Sequence, residues 1–382
     1  MNYKILIPLL MLLFTATLRA QWIDDPEINT LVSQGIRDTY NLRFEAADAA
    51  FAKVVKAHPD HPTGHFLLAM VEWWRILIDI ENESRDDHFY DMLDEVVDLC
   101  DERLDKNDKD LAGLFFKGGS IGFKGRLLAN RKSWVSAATT GKDALPVVMD
   151  AAEIAPDNAD LAFGTGIYDY YAAVLPERYT VLKPLMMFLP EGNRTRGMKE
   201  LKLAADKGRY ANWEAKYFLM QTWYSIENKP SNALIYAREL VSEFPDNPVF
   251  HRYLGRISVK MGNWEGAVKV FDEIASKARA SKRGYSKAMQ REAQYYLGYG
   301  AMLRKDYGTA MKYLVECDKT SRTIDEDPSG FMIMANLRMG MLHDVMKERS
   351  YAVKQYDKVL KLPEFNGSRD LAKRYKKSPY SF

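Results

Sequence analysis

Cysteine is nearly absent from this chain. Cys100 and Cys317 are the only two in 382 residues, whereas a disulfide scaffold uses many more in a far shorter chain. They lie far apart in sequence, so both read as buried small hydrophobes rather than as a pair. Net charge is scarce too. Lys and Arg number 54 against 52 Asp and Glu, a formal balance of +2. That leaves no global field to attract nucleic acid, and no nucleic-acid partner is expected. Beyond the first twenty residues no stretch approaches the roughly 20 consecutive apolar residues that a membrane span needs. Alternating β patterns are missing throughout. So are the linear signatures of common catalytic sites: no HExxH, no GxSxG, no Walker loop and no cysteine in a catalytic setting. Carboxylates are plentiful, but no pattern pairs two of them across a substrate. The chain reads as non-catalytic, with no cofactor.

The beginning of the chain is different. Met1 to Lys4 is a short basic start, and Ile5 to Leu18 is apolar apart from Pro8, Thr15 and Thr17. Leu18-Arg19-Ala20 then precedes Gln21 and Trp22. This order predicts a secretory signal peptide over residues 1–20, cut near Ala20–Gln21. Arg19 and Leu18 make the cleavage motif imperfect, and an uncleaved amphipathic anchor is the alternative. No Cys follows the run, which argues against lipid attachment. Loss of Lys4 and Arg19 leaves the mature chain at zero net charge. The expected location is periplasmic or extracellular, with peripheral association to the cell envelope left open.

What is abundant is repetition. Gly255 is followed by Ala267 and Phe271, twelve and then four residues on. Gly298 leads to Ala310 and Leu314, Gly340 to Ala352 and Tyr356, and Gly35 to Ala47 and Phe51, at the same spacings. A fifth segment has Gln221 in the glycine position, followed by Ala233 and Ala237. Two antiparallel helices joined by a short turn must approach closely. The expectation is that the glycine faces the alanine, and that the large residue one turn later fills the seam to the next repeat. Proline near the end of the second helix stops it. Phe244-Pro245-Asp246-Asn247-Pro248 and Ala155-Pro156-Asp157-Asn158 fit as turns between repeats. Less regular helices are read at Thr63–Ile80, Phe89–Leu104, Leu111–Leu128 and Trp134–Ala155, with Pro146 as a kink or a start.

These segments resemble the tetratricopeptide repeat of about 34 residues. The resemblance covers most of Glu27–Pro363. It implies an all-α superhelical solenoid of about eight antiparallel helix pairs, one domain over residues 21–382, ending in a basic tail at 364–382. A narrower resemblance lies in Phe163-Gly164-Thr165-Gly166-Ile167-Tyr168-Asp169-Tyr170-Tyr171, Val174-Leu175-Pro176 and Gly192-Asn193-Arg194-Thr195-Arg196-Gly197. It is similar to the eukaryotic tetratricopeptide protein 39 and inclusion-clearance group, with Asn193 where that group has Asp. That group is regarded as interaction or adaptor proteins, and the likeness implies no catalytic residues.

Other groupings were weighed for chemistry. His58, His61 and His65 cluster around Pro59 and Pro62, but they sit on a repeat turn without a metal motif, so no metal is expected. Gly164-Thr165-Gly166 lacks the third glycine and preceding strand of a dinucleotide fold. The 7 Trp, 22 Tyr and 17 Phe suit glycan binding, yet helix seams account for most of them. From Asp79 to Asp110 fourteen acidic residues stand against Arg85, Arg103, Lys106 and Lys109, and Lys277–Arg291 holds six basic residues and no acid. Either block is a docking face or, more simply, a solvated surface. The sharpest functional candidate is an irregular insertion at 172–197, opened by Pro176. There Tyr168 and Tyr171 form a second apolar stripe, and Leu182, Leu185, Met186, Met187 and Phe188 form a Met-rich run. Arg194 and Arg196 flank that run with guanidinium groups suited to a carboxylate or phosphate. The simplest reading is that the insertion packs on the second tyrosine stripe and closes a local core; two functional readings stand beside it. The first is a protein or peptide partner held in a concave groove through Tyr168, Tyr171, Met187, Arg194 and Arg196. The second is a small-molecule carrier or a component of uptake or envelope assembly, with a pocket near 163–201.

Overall fold

A computed structural model describes residues 22–180, 183, 187 and 189–381. The signal peptide expected over 1–20, and Leu182, Leu185, Met186 and Phe188 of the Met-rich run, lie outside the described residues. Among those described are seventeen α-helices and no strand. They pair as α1 (Pro26–Tyr40) with α2 (Phe44–Ala57), α3 (Pro62–Ile78) with α4 (Asp86–Leu104), α5 (Leu111–Asn130) with α6 (Trp134–Ile154), and α7 (Leu161–Arg178) with α8 (Arg194–Lys207). Then come α9 (Asn212–Gln221), extended by a π-helical turn at Thr222–Ile226, with α10 (Pro230–Glu243), and α11 (Pro248–Lys260) with α12 (Trp264–Arg279). The last pairs are α13 (Lys287–Leu303) with α14 (Tyr307–Ile324), and α15 (Gly330–Val345) with α16 (Arg349–Leu360). The tail helix α17 (Ser368–Lys377) packs on α15 and α16 and caps the array. The architecture is an all-α solenoid of eight hairpins.

Local chemistry sets the turns. Six of the eight hairpins turn through one residue of left-handed backbone: Leu42, Lys132, Asn228, Gly262, Lys305 and Lys347. Such a residue lets the first helix end while its last carbonyls stay hydrogen-bonded. Side-chain caps then open many helices, as Asp25, Asp110, Asn193, Asn247, Ser286 and Ser329 do by accepting from backbone amides one to two residues inside the first turn. Proline is less disruptive than its sequence position suggests. Both Pro146 and Pro176 lie inside continuous helices, although an interior proline loses its own hydrogen bond and crowds the carbonyl four residues before it. Tyr179 N still reaches Leu175 O at 2.8 Å. Of the insertion expected at 172–197, the residues up to Arg178 belong to α7 and those from Arg194 on belong to α8.

The repeat grammar holds with one correction. Ala47, Ala267, Ala310 and Ala352 are fully buried, but the glycine is covered chiefly by the large residue sixteen positions on. A Cβ on Gly255 would stand 2.8 Å from Phe271, on Gly298 2.8 Å from Leu314 and on Gly340 2.6 Å from Tyr356, and Gly35 lies under Phe51 in the same way. The ring occupies the space over the Cα that any side chain would need. Phe271 also stacks on Tyr296 of the next hairpin, centroids 4.5 Å apart, so one side chain serves both seams.

First helices touch first helices along the array, as α1 does α3, α3 does α5, and α13 does α15. They therefore line the inner side, and the second helices lie outside. The inner side closes on itself. Tyr40 of α1 stacks on Phe244 at 5.1 Å, and Trp74 of α3 meets Phe250 edge-on at 5.5 Å. Fully buried Asn247 donates to Tyr40 O at 2.9 Å. Arg283 grips Glu45 through two bonds of 2.6 and 2.9 Å and donates to Leu42 O at 3.0 Å. A plain solenoid has contacts only between neighbouring repeats. Here the first two hairpins share one hydrophobic core with the fifth and sixth.

Candidate functional site

Inside the closed seam sits a polar knot. Arg126 of α5 lies over the rings of Trp73, Phe123 and Tyr217, at 5.0, 5.7 and 5.5 Å from their centres. Its guanidinium pairs with Glu214, which also accepts from Tyr40 Oη at 3.0 Å. Gln221, the residue in the glycine position of the fifth segment, accepts from Arg126 and lies 3.1 Å from both Tyr217 Oη and Tyr253 Oη. Its departure from the repeat pattern thus supplies amide hydrogen bonds across the seam. Burial pushes the hydroxyls of Tyr40 and Tyr217 well above their ordinary value, so both stay neutral.

The inner face continues from this knot toward the C-terminus as a path of aromatic and guanidinium groups. Half-buried Tyr224 meets Tyr253 of α11 edge-on at 5.7 Å. Arg252 and Arg256 of α11 both reach buried Glu292 of α13, at 2.6 Å and at 2.5 and 2.8 Å. Burial pushes the Glu292 carboxyl up, but the two arginines outweigh it and hold it below its ordinary value. On α13, Tyr295 and Tyr299 follow, and Arg338 of α15 lies on them, its Cζ 3.3 Å from the Tyr299 ring centre. Tyr and Arg are enriched among the residues that dominate binding energy at protein interfaces, and tyrosine brings large amphipathic area with little rotamer entropy to lose.

The five residues singled out from sequence do not form one such surface. Tyr168 Oη donates to Pro190 O at 2.6 Å, tying α7 to the irregular stretch. Tyr171 packs edge-on against Phe218 at 5.5 Å, and burial raises its hydroxyl pKa. Both arginines are engaged by carboxylates of the chain itself. Arg194 pairs with Glu227, which also accepts from Tyr170 Oη at 2.5 Å. Burial pushes the Glu227 carboxyl up, but these hydrogen bonds outweigh it and hold the group below its ordinary value. Arg196 pairs with buried Asp169, one of its bonds being 2.5 Å. Met187 stands apart, 80% exposed. Sequence reading left Tyr170, which binds Glu227, out of the candidate site, and it missed the inner-face path altogether. The signal for the path was present in the tyrosines and arginines that recur on successive first helices.

The charge blocks are largely spent within the fold. Lys277 and Lys282 pair with Asp246, Arg283 with Glu45, and Arg291 with Asp325. Of the acidic block, Asp86, Asp94 and Asp101 take Arg131, Lys124 and Lys117 from the neighbouring hairpin. The three histidines have separate tasks. His61 caps α3, and His65 lies 3.1 Å from both Pro59 O and Glu95. No group of three or more metal-ligating side chains is found among the described residues. No described helix is long and apolar enough to cross a membrane. Two open clefts, of about 440 Å³ beside Leu42 and Arg283 and about 320 Å³ beside Leu234 and His251, both lie away from residues 163–201.

No known family model matches the chain, and no curated protein does. Several solved structures resemble it in outline. A TPR protein of Thermus thermophilus, TTC0263, is 16% identical at a TM-score of 0.36, over 61% of this chain and 98% of that one. Human IFIT1, solved as a dimer with PPP-AAAA, is 15% identical at 0.40, over 83% and 68%. The apo form of RapI is 12% identical at 0.41, over 92% and 95%. The eight-hairpin solenoid stands on the helix contacts of the chain itself.

Proposed function

We propose that this chain is a non-catalytic scaffold that binds a protein or peptide segment along its inner face. The observation that carries this reading is the aromatic and guanidinium path over α9, α11, α13 and α15, with its arginines fixed by Glu292 and its tyrosines packed edge to face. Rigid side chains of this kind give contact area without a large ordering cost on binding. The reading places the binding surface on the C-terminal half of the inner face, apart from residues 163–201. Export belongs to the same proposal, supported by the basic and apolar order of residues 1–20, and would place the scaffold in the cell envelope or outside the cell.

A photo-crosslinking residue at Tyr253, compared with one at Tyr351, tests it in the native host. Tyr351 is 57% exposed on the outer helix α16. A discrete adduct from Tyr253 and none from Tyr351 is expected. Equal labelling from both, or none from Tyr253, refutes the inner-face reading. N-terminal sequencing of the same material checks export, and intact Met1 in cytosolic protein would remove that part.

A further inference from the structure

Five half-buried arginines lie on the first helices α5, α11, α13 and α15, and four of them meet a carboxylate. Arg126 has Glu214, Arg252 and Arg256 share Glu292, and Arg291 has Asp325. Arg338 meets none among the described residues. Its Nε donates to Tyr295 Oη at 3.0 Å, and its plane rests on Tyr299. Tyr299 is itself held edge-on by Trp264, centroids 4.8 Å apart. Tyr295 is buried and also packs on Phe331 at 5.5 Å. The guanidinium is therefore fixed at two points, with a ring against it and its two terminal amino groups without an acceptor among the described residues.

We propose that Arg338 recognises a carboxylate of the segment bound along the inner face. The inference rests on the inner-face reading above and names the chemistry of one end of that site. A guanidinium presents its donors in a planar fork that matches the two oxygens of a carboxylate, and stacking on an aromatic ring fixes the fork before binding. Among the described residues the side chains against the guanidinium are phenols, and no carboxylate pairs with its positive charge. A singly charged carboxylate balances it, whereas a phosphate dianion would leave negative charge against aromatic walls. Water excluded by Tyr299 and Tyr295 strengthens the pairing relative to an exposed ion pair.

The test uses the full chain with labelled arginine side chains, following the Nε–H signal of Arg338 by NMR. Arg338→Lys assigns the signal by removing it. The probes are glutarate, its uncharged diamide, and inorganic phosphate. A saturable shift with glutarate, at least about tenfold weaker with phosphate and absent with the diamide, is expected; tenfold corresponds to about 1.4 kcal/mol. No shift with glutarate, or one matched by the diamide, overturns the proposal. A stronger response to phosphate overturns the carboxylate assignment. Tighter glutarate binding by at least about tenfold in a chain carrying a C-terminal amide would show that the chain's own terminus fills the site, and would also overturn it. Crosslinking from Tyr253 is read separately. A positive titration without that adduct removes the groove and keeps the anion site, and the reverse pattern removes the anion site and keeps the groove.

Discussion

Changing Gly255 to alanine isolates the packing that defines each hairpin. Two effects oppose each other. Alanine is favoured over glycine within a helix by about 1 kcal/mol. Its Cβ would stand 2.8–2.9 Å from the Phe271 ring, closer than carbon atoms tolerate, and overpacking of this kind costs about 1–3 kcal/mol. Gly122→Ala is the control. Gly122 lies within α5, and nothing stands within 4 Å of a Cβ built there, so it collects the helix gain alone. The propensity cancels between the two variants. Gly255→Ala is therefore expected to be less stable than Gly122→Ala by about 1–3 kcal/mol. Urea melts followed by circular dichroism give the comparison, and hydrogen exchange in α11 and α12 localises the loss. In a Phe271→Ala background the ring is gone, so Gly255→Ala should turn from a cost to a gain of about 1 kcal/mol. Equal or greater stability of Gly255→Ala in the native background would refute the claim that the ring covers the glycine.

Asn247→Ala should cost about 2–4 kcal/mol, because it removes the cap of α11 and leaves the buried Tyr40 carbonyl without its donor. Hydrogen exchange should rise in α1 as well as in α11, and a rise confined to α11 would contradict the closed seam. Acid should weaken the fold through two histidines. Burial lowers both His61 and His251 from 6.5 to about 4, so the unfolded chain binds more protons between those values. Stability is fully present above about pH 6.5 and falls as pH drops toward 4. Urea midpoints at pH 6.5 and 5 should differ in the native chain and converge in a His61→Asn, His251→Gln variant; an unchanged difference would rule these histidines out.

The hairpins were legible in the sequence because their determinants are local and periodic. A glycine, an alanine and a large residue recur at fixed spacings, and each triplet meets within its own pair of helices. The exception was the partner of the glycine, since spacing alone does not say which of two residues on the facing helix points at it. Contacts without a period were not legible. Tyr40 finds Glu214, Asn247 finds Tyr40, and Arg283 finds Glu45 across most of the chain, and nothing near any of them marks the other. The intramolecular partners of the candidate site were hidden for the same reason. Arg194 and Arg196 read as free cations because Glu227 and Asp169 lie 33 and 27 positions away. Proline misled in the opposite direction. Pro176 is a strong stop signal in sequence, and the helix passes through it because packing of Tyr170 and Val174 on the buried side outweighs one lost hydrogen bond.

The bond from Arg283 to Leu42 spans 241 residues, and this sets a delay on the growing chain. At a synthesis rate of about 5–20 residues per second, the first two hairpins wait roughly 10–50 s for the surface that covers Tyr40 and Trp74. An ordinary repeat array can consolidate from its first repeats onward, each new one adding to a finished edge. This chain has an unfinished edge at both ends of the ring until α11 and the Arg283 turn are made. Its early hairpins are thus the natural clients of a holding chaperone. Truncations ending before Arg283 should aggregate, whereas those ending after it lose only the outer hairpins.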